Sequence, residues 1–245
     1  MDKNIIELNE QFLKIKNKGY IKTKRKGSTG IGYTFENLLN KNEDNFSIPD
    51  YNGIEIKTIR RNSRQQLHLF TATPDGDFLF PIDRIIKKVG YPDKTNPKNK
   101  IFMMSFYGNN YKKIGYYKLA KIFVNDEKIY FNGYDIKFGD LNLDISWTNE
   151  LIRKKLEIKL KYLAIIKAEN KFINDEEYFY YYNIKFYKLK SFDAFIDLIK
   201  KGFISVNFNI GVYKEGKRKG KTHDRGTNFM IKVEDIGLLF DEIII

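Results

Sequence analysis

The 245-residue chain has no cysteine, which excludes disulfides, thiolate zinc sites and cysteine nucleophiles. No apolar run reaches the ~18 residues of a membrane span. The opening MDKNIIELNEQF is too polar for a secretory signal, so the expectation is a cytoplasmic chain with no membrane contact. Acid is also scarce: 31 Asp and Glu stand against 44 Lys and Arg, giving a net charge of +13 and a pI near 9.5. With 20 Phe and 17 Tyr the chain has material for a packed globule of one or two domains. A basic, aromatic-rich globule has an anionic partner as its default reading. A lysine-rich, AT-biased genome gives a similar composition without one.

What is present concentrates between Gly30 and Lys57, GIGYTFENLLNKNEDNFSIPDYNGIEIK. The pattern predicts a short helix, a loop, a turn and a strand. On the helix, Ile31, Phe35, Leu38 and Leu39 form a buried stripe with Glu36 beside it, and Gly32 leaves room for another backbone. Pro49 sets an extended approach, and Asn52-Gly53 is a strong turn dipeptide that folds Asp50 back beside Glu55. In the strand IEIKTIR, Glu55 and Lys57 share one face while Ile54, Ile56 and Thr58 share the other. Two carboxylates, with the Ile56 carbonyl as candidate third donor, make an incomplete oxygen shell for a hard divalent cation such as Mg2+. Lys57 would then orient a water or neutralise a phosphate. Spacing alone leaves this open, because acid and lysine pairs on strands are mostly solvated surface.

The segments GSTGIGYTFENLL, PDYNGIEIKT, LHLFTATP, KLKYLAIIKAENK and GKTHDRGTNFMI resemble the MvaI/BcnI group of Type II restriction endonucleases. These are relatives of MutH within the PD-(D/E)xK nuclease superfamily. The resemblance implies an α/β class (α+β, mixed sheet) with a PD-(D/E)xK core, an antiparallel insertion and a C-terminal DNA-recognition lobe. It implies catalysis by Asp50, Glu55 and Lys57 with accessory Glu36, metal held by Asp50, Glu55 and Ile56, and Mg2+ as cofactor. It further implies a bacterial monomer acting on double-stranded DNA at a short pseudosymmetric site, leaving 5′-phosphate and 3′-hydroxyl ends. A protective DNA methyltransferase would be encoded beside it. The alternatives are a MutH-like nickase and a catalytically silent DNA-binding protein.

Around the central stretch, residues 3–18 predict an amphipathic helix ending at Gly19. Next, Lys24, Arg25 and Lys26 read either as a phosphate grip at a helix start or as a solvated loop. QQLHLFTAT predicts a second strand paired with IEIKTIR, in which His68 is set aside as a packed residue. The expected catalytic lobe is discontinuous, 1–75 and 147–190, around a β-rich meander at 76–146 that includes a helix over Pro81–Val89. A helix over Trp147–Glu157, capped by Thr148, leads to a buried strand; Lys159 and Lys161 at its start read as phosphate contacts or as a solvated end.

The third region, 191–245, opens with a helix capped by Ser191 and closed by Gly202. A strand follows with Ile204, Val206, Phe208, Ile210 and Val212 on one face and Asn207, Asn209 and Tyr213 on the other. The loop after it is basic and leads to a strand through Phe229, Ile231 and Val233. A basic loop on a two-stranded ribbon suits a DNA groove, with Lys219 and Lys221 on phosphates and Thr222, His223, Asp224 and Arg225 near bases. The resemblance assigns base recognition to this region. It leads us to expect arginines where Asn209 and Met230 stand, and a target of two C·G pairs, a central pair and two G·C pairs. Arginine reads guanine, asparagine suits adenine and methionine offers only apolar contact, so a site richer in A·T is expected.

Overall fold

A computed structural model describes residues 2–39, 49–61, 66–75 and 79–245. The predicted loop between Leu39 and Pro49 lies outside the described residues. In chain order the elements are α1 (Lys3–Lys16), β1 (Ile21–Lys22), α2 (Gly30–Leu38), β2 (Ile54–Arg60), β3 (Gln66–Thr71), α3 (Leu79–Val89), β4 (Tyr91–Pro92) and β5 (Lys100–Phe106). There follow β6 (Lys112–Ile114), β7 (Lys118–Val124), β8 (Lys128–Asp135), β9 (Gly139–Asp140), β10 (Ile145–Thr148) and α4 (Asn149–Lys159). The chain ends with β11 (Tyr162–Ile173), β12 (Glu176–Leu189), α5 (Phe192–Lys201), β13 (Ile204–Val212), β14 (Thr222–Asp224), β15 (Asn228–Lys232), α6 (Ile236–Leu239) and β16 (Phe240–Ile243). The fold is mixed α/β with three sheets, and no described helix is long and apolar enough to cross a membrane.

The chain divides into two compact units. The first comprises residues 1–65, 155–190 and 236–245. Its sheet runs β1-β12-β11-β2, with β16 added to β12. β2 pairs in parallel with β11, Glu55 opposite Leu163 and Lys57 opposite Ile165. The parallel neighbour must come from a distant crossover, so β2 does not pair with β3 as expected. One face of this sheet is sealed by Ile5, Leu8, Phe12 and Ile15 of α1 and Ile31 and Phe35 of α2. At roughly 1.5–3 kcal/mol for each large apolar side chain buried, this packing holds the helices better than their intrinsic propensity could. Tyr181, buried in the same layer, donates to the Ile31 carbonyl at 2.7 Å and ties α2 to β12.

The second unit comprises residues 66–154 and 191–235. One sheet is the expected antiparallel meander, β10-β8-β7-β6, with β9 on β8. The other runs β3-β15-β13-β5-β4, with β14 on β13, so β5 leaves the meander and joins the C-terminal strands. The reason is aromatic: Phe102, Phe106, Phe131 and Phe208 pack together, with Phe106 and Phe208 each 4.6 Å from Phe131 by ring centroid. Trp147 sits in β10, not in a helix. It is fully buried, and its indole donates to the Ala72 carbonyl at 3.0 Å. Helix α4 starts only at Asn149, where the Thr148 hydroxyl accepts from Leu151 N at 3.4 Å. Ser191 caps α5 by accepting from Ala194 N, and Gly202 ends it at φ 80°.

Candidate active site and nucleic-acid face

β2 grows out of a two-residue turn. Asn52 and Gly53 both adopt positive φ, 42° and 89°, and Tyr51 and Ile54 exchange backbone hydrogen bonds at 2.9 and 2.8 Å. This is the hairpin geometry that Asn-Gly favours. It turns Asp50 back along β2, where its Oδ2 accepts from Ile56 N at 3.0 Å. Ile54 and Ile56 point into the helix-covered core, while Glu55 faces the other way and is still only 1% exposed. Its Oε1 accepts from Lys57 Nζ at 2.5 Å. Its Oε2 is buried with no hydrogen-bond partner among the described residues.

Burial pushes the Glu55 carboxyl up; the Lys57 ammonium pulls it back, Asp50 adds to the rise, and Lys159 lowers it. A buried carboxylate oxygen without a donor, beside a second carboxylate, is a site that a hard cation would satisfy. Asp50, Glu55 and the Ile56 carbonyl are thus a donor set that could take a divalent ion such as magnesium. Among the described residues no group of three or more His, Asp or Glu is placed to hold a metal ion. Glu36 lies on α2 beside Gly32. Its Oε1 lies 3.7 Å from where a Cβ on Gly32 would sit, and Thr58 Oγ1 lies 3.3 Å from the same point. Gly32 thus makes room for the Thr58 side chain of β2, not for a second backbone as expected.

Sequence reasoning did not find the partner of Lys159. At the end of α4, its Nζ lies 3.6 Å from Glu55 Oε1, the oxygen that Lys57 also holds. β11 begins opposite Ile54, so the residues just before it stand at the Glu55 end of the sheet. No local pattern signals a contact made through a parallel pairing. The basic segment before α2 is moored, not loose: Lys24 N donates to the buried Thr34 hydroxyl at 3.0 Å, Lys24 Nζ bonds Asn37, and Arg25 lies 3.8 Å over the Tyr33 ring. Lys26 is exposed.

In the second unit, β13 places Asn207 and Asn209 on the side opposite its buried apolar residues. β14 pairs with its end, His223 opposite Gly211. The His223 ring stacks on Tyr213 at 4.0 Å, and Thr222 and Asp224 flank it. Burial pushes the Asp224 carboxyl up, and the hydrogen bond it accepts from Gly226 N at 2.8 Å pulls it back. Lys219, Lys221 and Arg225 are exposed. His68, set aside from the sequence, stands opposite Met230 in the β3–β15 pairing, its Nε2 3.0 Å from Asn228 Oδ1.

Comparison with known proteins bears on both regions. The model of the MvaI/BcnI restriction endonuclease family matches residues 9–240. The solved complex of restriction endonuclease MvaI with its cognate DNA substrate is 32% identical, aligns over 99% of this chain and 98% of its own, and superposes with a TM-score of 0.88. The structure of MvaI in the absence of DNA is 31% identical over the same shares, with a TM-score of 0.63. The comparison with curated proteins gives no match.

Proposed function

This chain belongs to the MvaI/BcnI restriction endonuclease family and is a site-specific deoxyribonuclease, and from that premise we propose that it cuts double-stranded DNA through a PD-(D/E)xK centre built on Asp50, Glu55 and Lys57. The observation that carries the proposal is the buried Oε2 of Glu55, next to Asp50 and without a hydrogen-bond partner among the described residues. Asp50, Glu55 and the Ile56 carbonyl would hold magnesium, which when bound supplies Lewis acidity and a lower pKa for water.

The remaining work falls to the chain. Lys57, fixed on Glu55 at 2.5 Å, orients the attacking water and faces the negative charge that gathers on the phosphate. Water oxygen bonds to phosphorus as the bond to the 3′ oxygen breaks, and a proton passes to that oxygen, leaving 5′-phosphate and 3′-hydroxyl ends. Glu36 supports a second metal or a water. Lys24, Arg25 and Lys26 in the first unit, and Lys219 and Lys221 in the second, contact phosphates. Asn207, Asn209, Tyr213, Thr222, His223, Asp224, Arg225 and Met230 read a short pseudosymmetric site. The protein acts as a monomer.

The test incubates the purified chain with unmethylated phage DNA in magnesium or EDTA, beside Asp50→Ala. Discrete fragments that need magnesium and vanish in the variant are expected. Salt-sensitive binding without cleavage on several DNAs would replace the enzyme with a silent binder.

A further inference from the structure

The sheet β3-β15-β13-β5 has two unlike faces. One is the aromatic core, with Phe70, Phe102, Phe106, Phe208 and Phe229 all buried. On the other, strand register sets polar and thioether side chains next to each other. Asn209 is opposite Met103, Asn207 is opposite both Ser105 and Asn228, and Met230 is opposite His68. These residues line a single cleft in the second unit. The inserted strand β5, to which the sequence alone assigns no role, supplies Met103 and Ser105.

The described lining of the cleft is close to neutral although the chain carries 44 Lys and Arg. Among the described residues the one Lys or Arg lining it, Lys112, donates to the Ser105 carbonyl at 3.0 Å. Arg225 stands at the margin, its Nε 3.9 Å from where a side chain on Gly211 would begin. A surface that only gripped phosphates would put its ammonium and guanidinium groups at the centre, because charge neutralisation drives that binding. A neutral centre rich in amides suits base edges.

The amides differ in what they leave open. Asn228 is committed: its Oδ1 accepts from Thr71 Oγ1 at 2.7 Å and faces His68 Nε2, and its Nδ2 donates to the Gly226 carbonyl at 3.2 Å. It holds the His68 ring in place. Asn207 accepts from Ser205 Oγ at 3.0 Å through Oδ1, and its amino group donates to none of the described residues. The Asn209 side chain makes no hydrogen bond among the described residues; its backbone carbonyl accepts from Arg225 N at 3.1 Å. A carboxamide offers one donor beside one acceptor, the complement of adenine N6 and N7, and an apolar tip suits the thymine methyl. Guanine, which shows two acceptors, is better met by a cation fork.

We propose that this cleft reads at least two A·T pairs, Asn209 with Met103 taking one and Asn207 with Met230 taking the other, while His68 positioned by Asn228 is a further specificity residue. The proposal rests on the chain binding DNA, and it extends the reading surface to β3 and β5.

The test selects bound duplexes from a pool with randomised centres, using the full chain in calcium, which supplies a larger and more flexibly coordinated divalent ion than magnesium. In parallel, the same pool is cut in magnesium. A motif with A·T at two or more positions is expected, with Asn209→Ala lowering preference at one of them and Met230→Ala at the other, each about tenfold. A motif of G·C pairs alone, or with A·T only at its centre, overturns the proposal. So does the absence of any enriched motif, or alanine variants that leave the motif unchanged. An A·T motif without cleavage in magnesium upholds it while removing the catalytic reading; cleavage at a G·C-only site does the reverse.

Discussion

Glu55→Gln keeps the shape of the side chain and removes its charge, so its effect on stability reports directly on the metal site. The wild-type carboxyl is 1% exposed, Oε2 has no partner among the described residues, and burial with Asp50 pushes it up against the pull of Lys57 and Lys159. A carboxyl raised above its unfolded value of about 4.3 stabilises the fold below that pH, and the contribution is lost as pH rises through the folded pKa. At pH 7.5 in EDTA the wild type therefore bears the cost of a half-paired buried carboxylate, roughly 1–3 kcal/mol for an unsatisfied buried group. The glutamine loses charge assistance from Lys57, an effect of about the same size. Because the net shift is upward, burial outweighs pairing, and the variant in EDTA is expected to melt no lower than wild type, with the gap narrowing on acidification. Magnesium at ten times its Kd should then stabilise the wild type by about 1.4 kcal/mol, a Tm rise of about 3–6 °C at this chain length, and leave the variant unmoved. Calorimetry from pH 5 to 8, in EDTA and in magnesium, reads both effects. An equal magnesium shift in the variant would refute the assignment of Glu55 as a ligand. A loss above about 1 kcal/mol in EDTA at neutral pH would refute the argument from burial.

Lys159→Ala should slow cleavage about 10–100-fold, the usual effect of removing a side chain that holds a metal ligand, and Lys159→Arg should keep most of the rate; single-turnover cleavage decides, and an unimpaired alanine variant would remove Lys159 from the site. Tyr181→Phe gives up the buried hydrogen bond to Ile31 and is expected to cost about 1 kcal/mol in urea unfolding; an unchanged midpoint would mean that α2 is not held through it. Lys219→Ala combined with Lys221→Ala should weaken DNA binding alike on all sequences and flatten the slope of log K against log salt by about 1 for each phosphate no longer neutralised, whereas a changed target preference would show that the loop reads bases.

Much of what depended on neighbours in the chain was legible. Turn chemistry at Asn52-Gly53, the alternation that separates Glu55 and Lys57 from Ile54 and Ile56, and the caps at Ser191 and Gly202 all stand in the fold as the residues dictate. The helix expected over Trp147–Glu157 forms, but it starts two residues later, at Asn149, because burial of the indole against Ala72 overrode local preference and drew Ile145–Thr148 into a strand. The 14-residue strand β12 went unread although Asn174 and Asp175, both at positive φ, mark the tight turn that leads into it.

By itself the sequence determined the pieces of the candidate centre, because Asp50, Glu55 and Lys57 lie within one turn and one strand and period-two geometry fixes which way each points. Only the tertiary structure decided the company they keep. A strand's alternation specifies its faces and not its partner, so nothing local could choose β11 over β3 as the neighbour of β2, bring Lys159 to Glu55, or set β5 beside β13. Those choices were made by burial summed over the whole core, where Phe102, Phe106, Phe131 and Phe208 find one another across long stretches of chain and carry the polar face of their sheet with them.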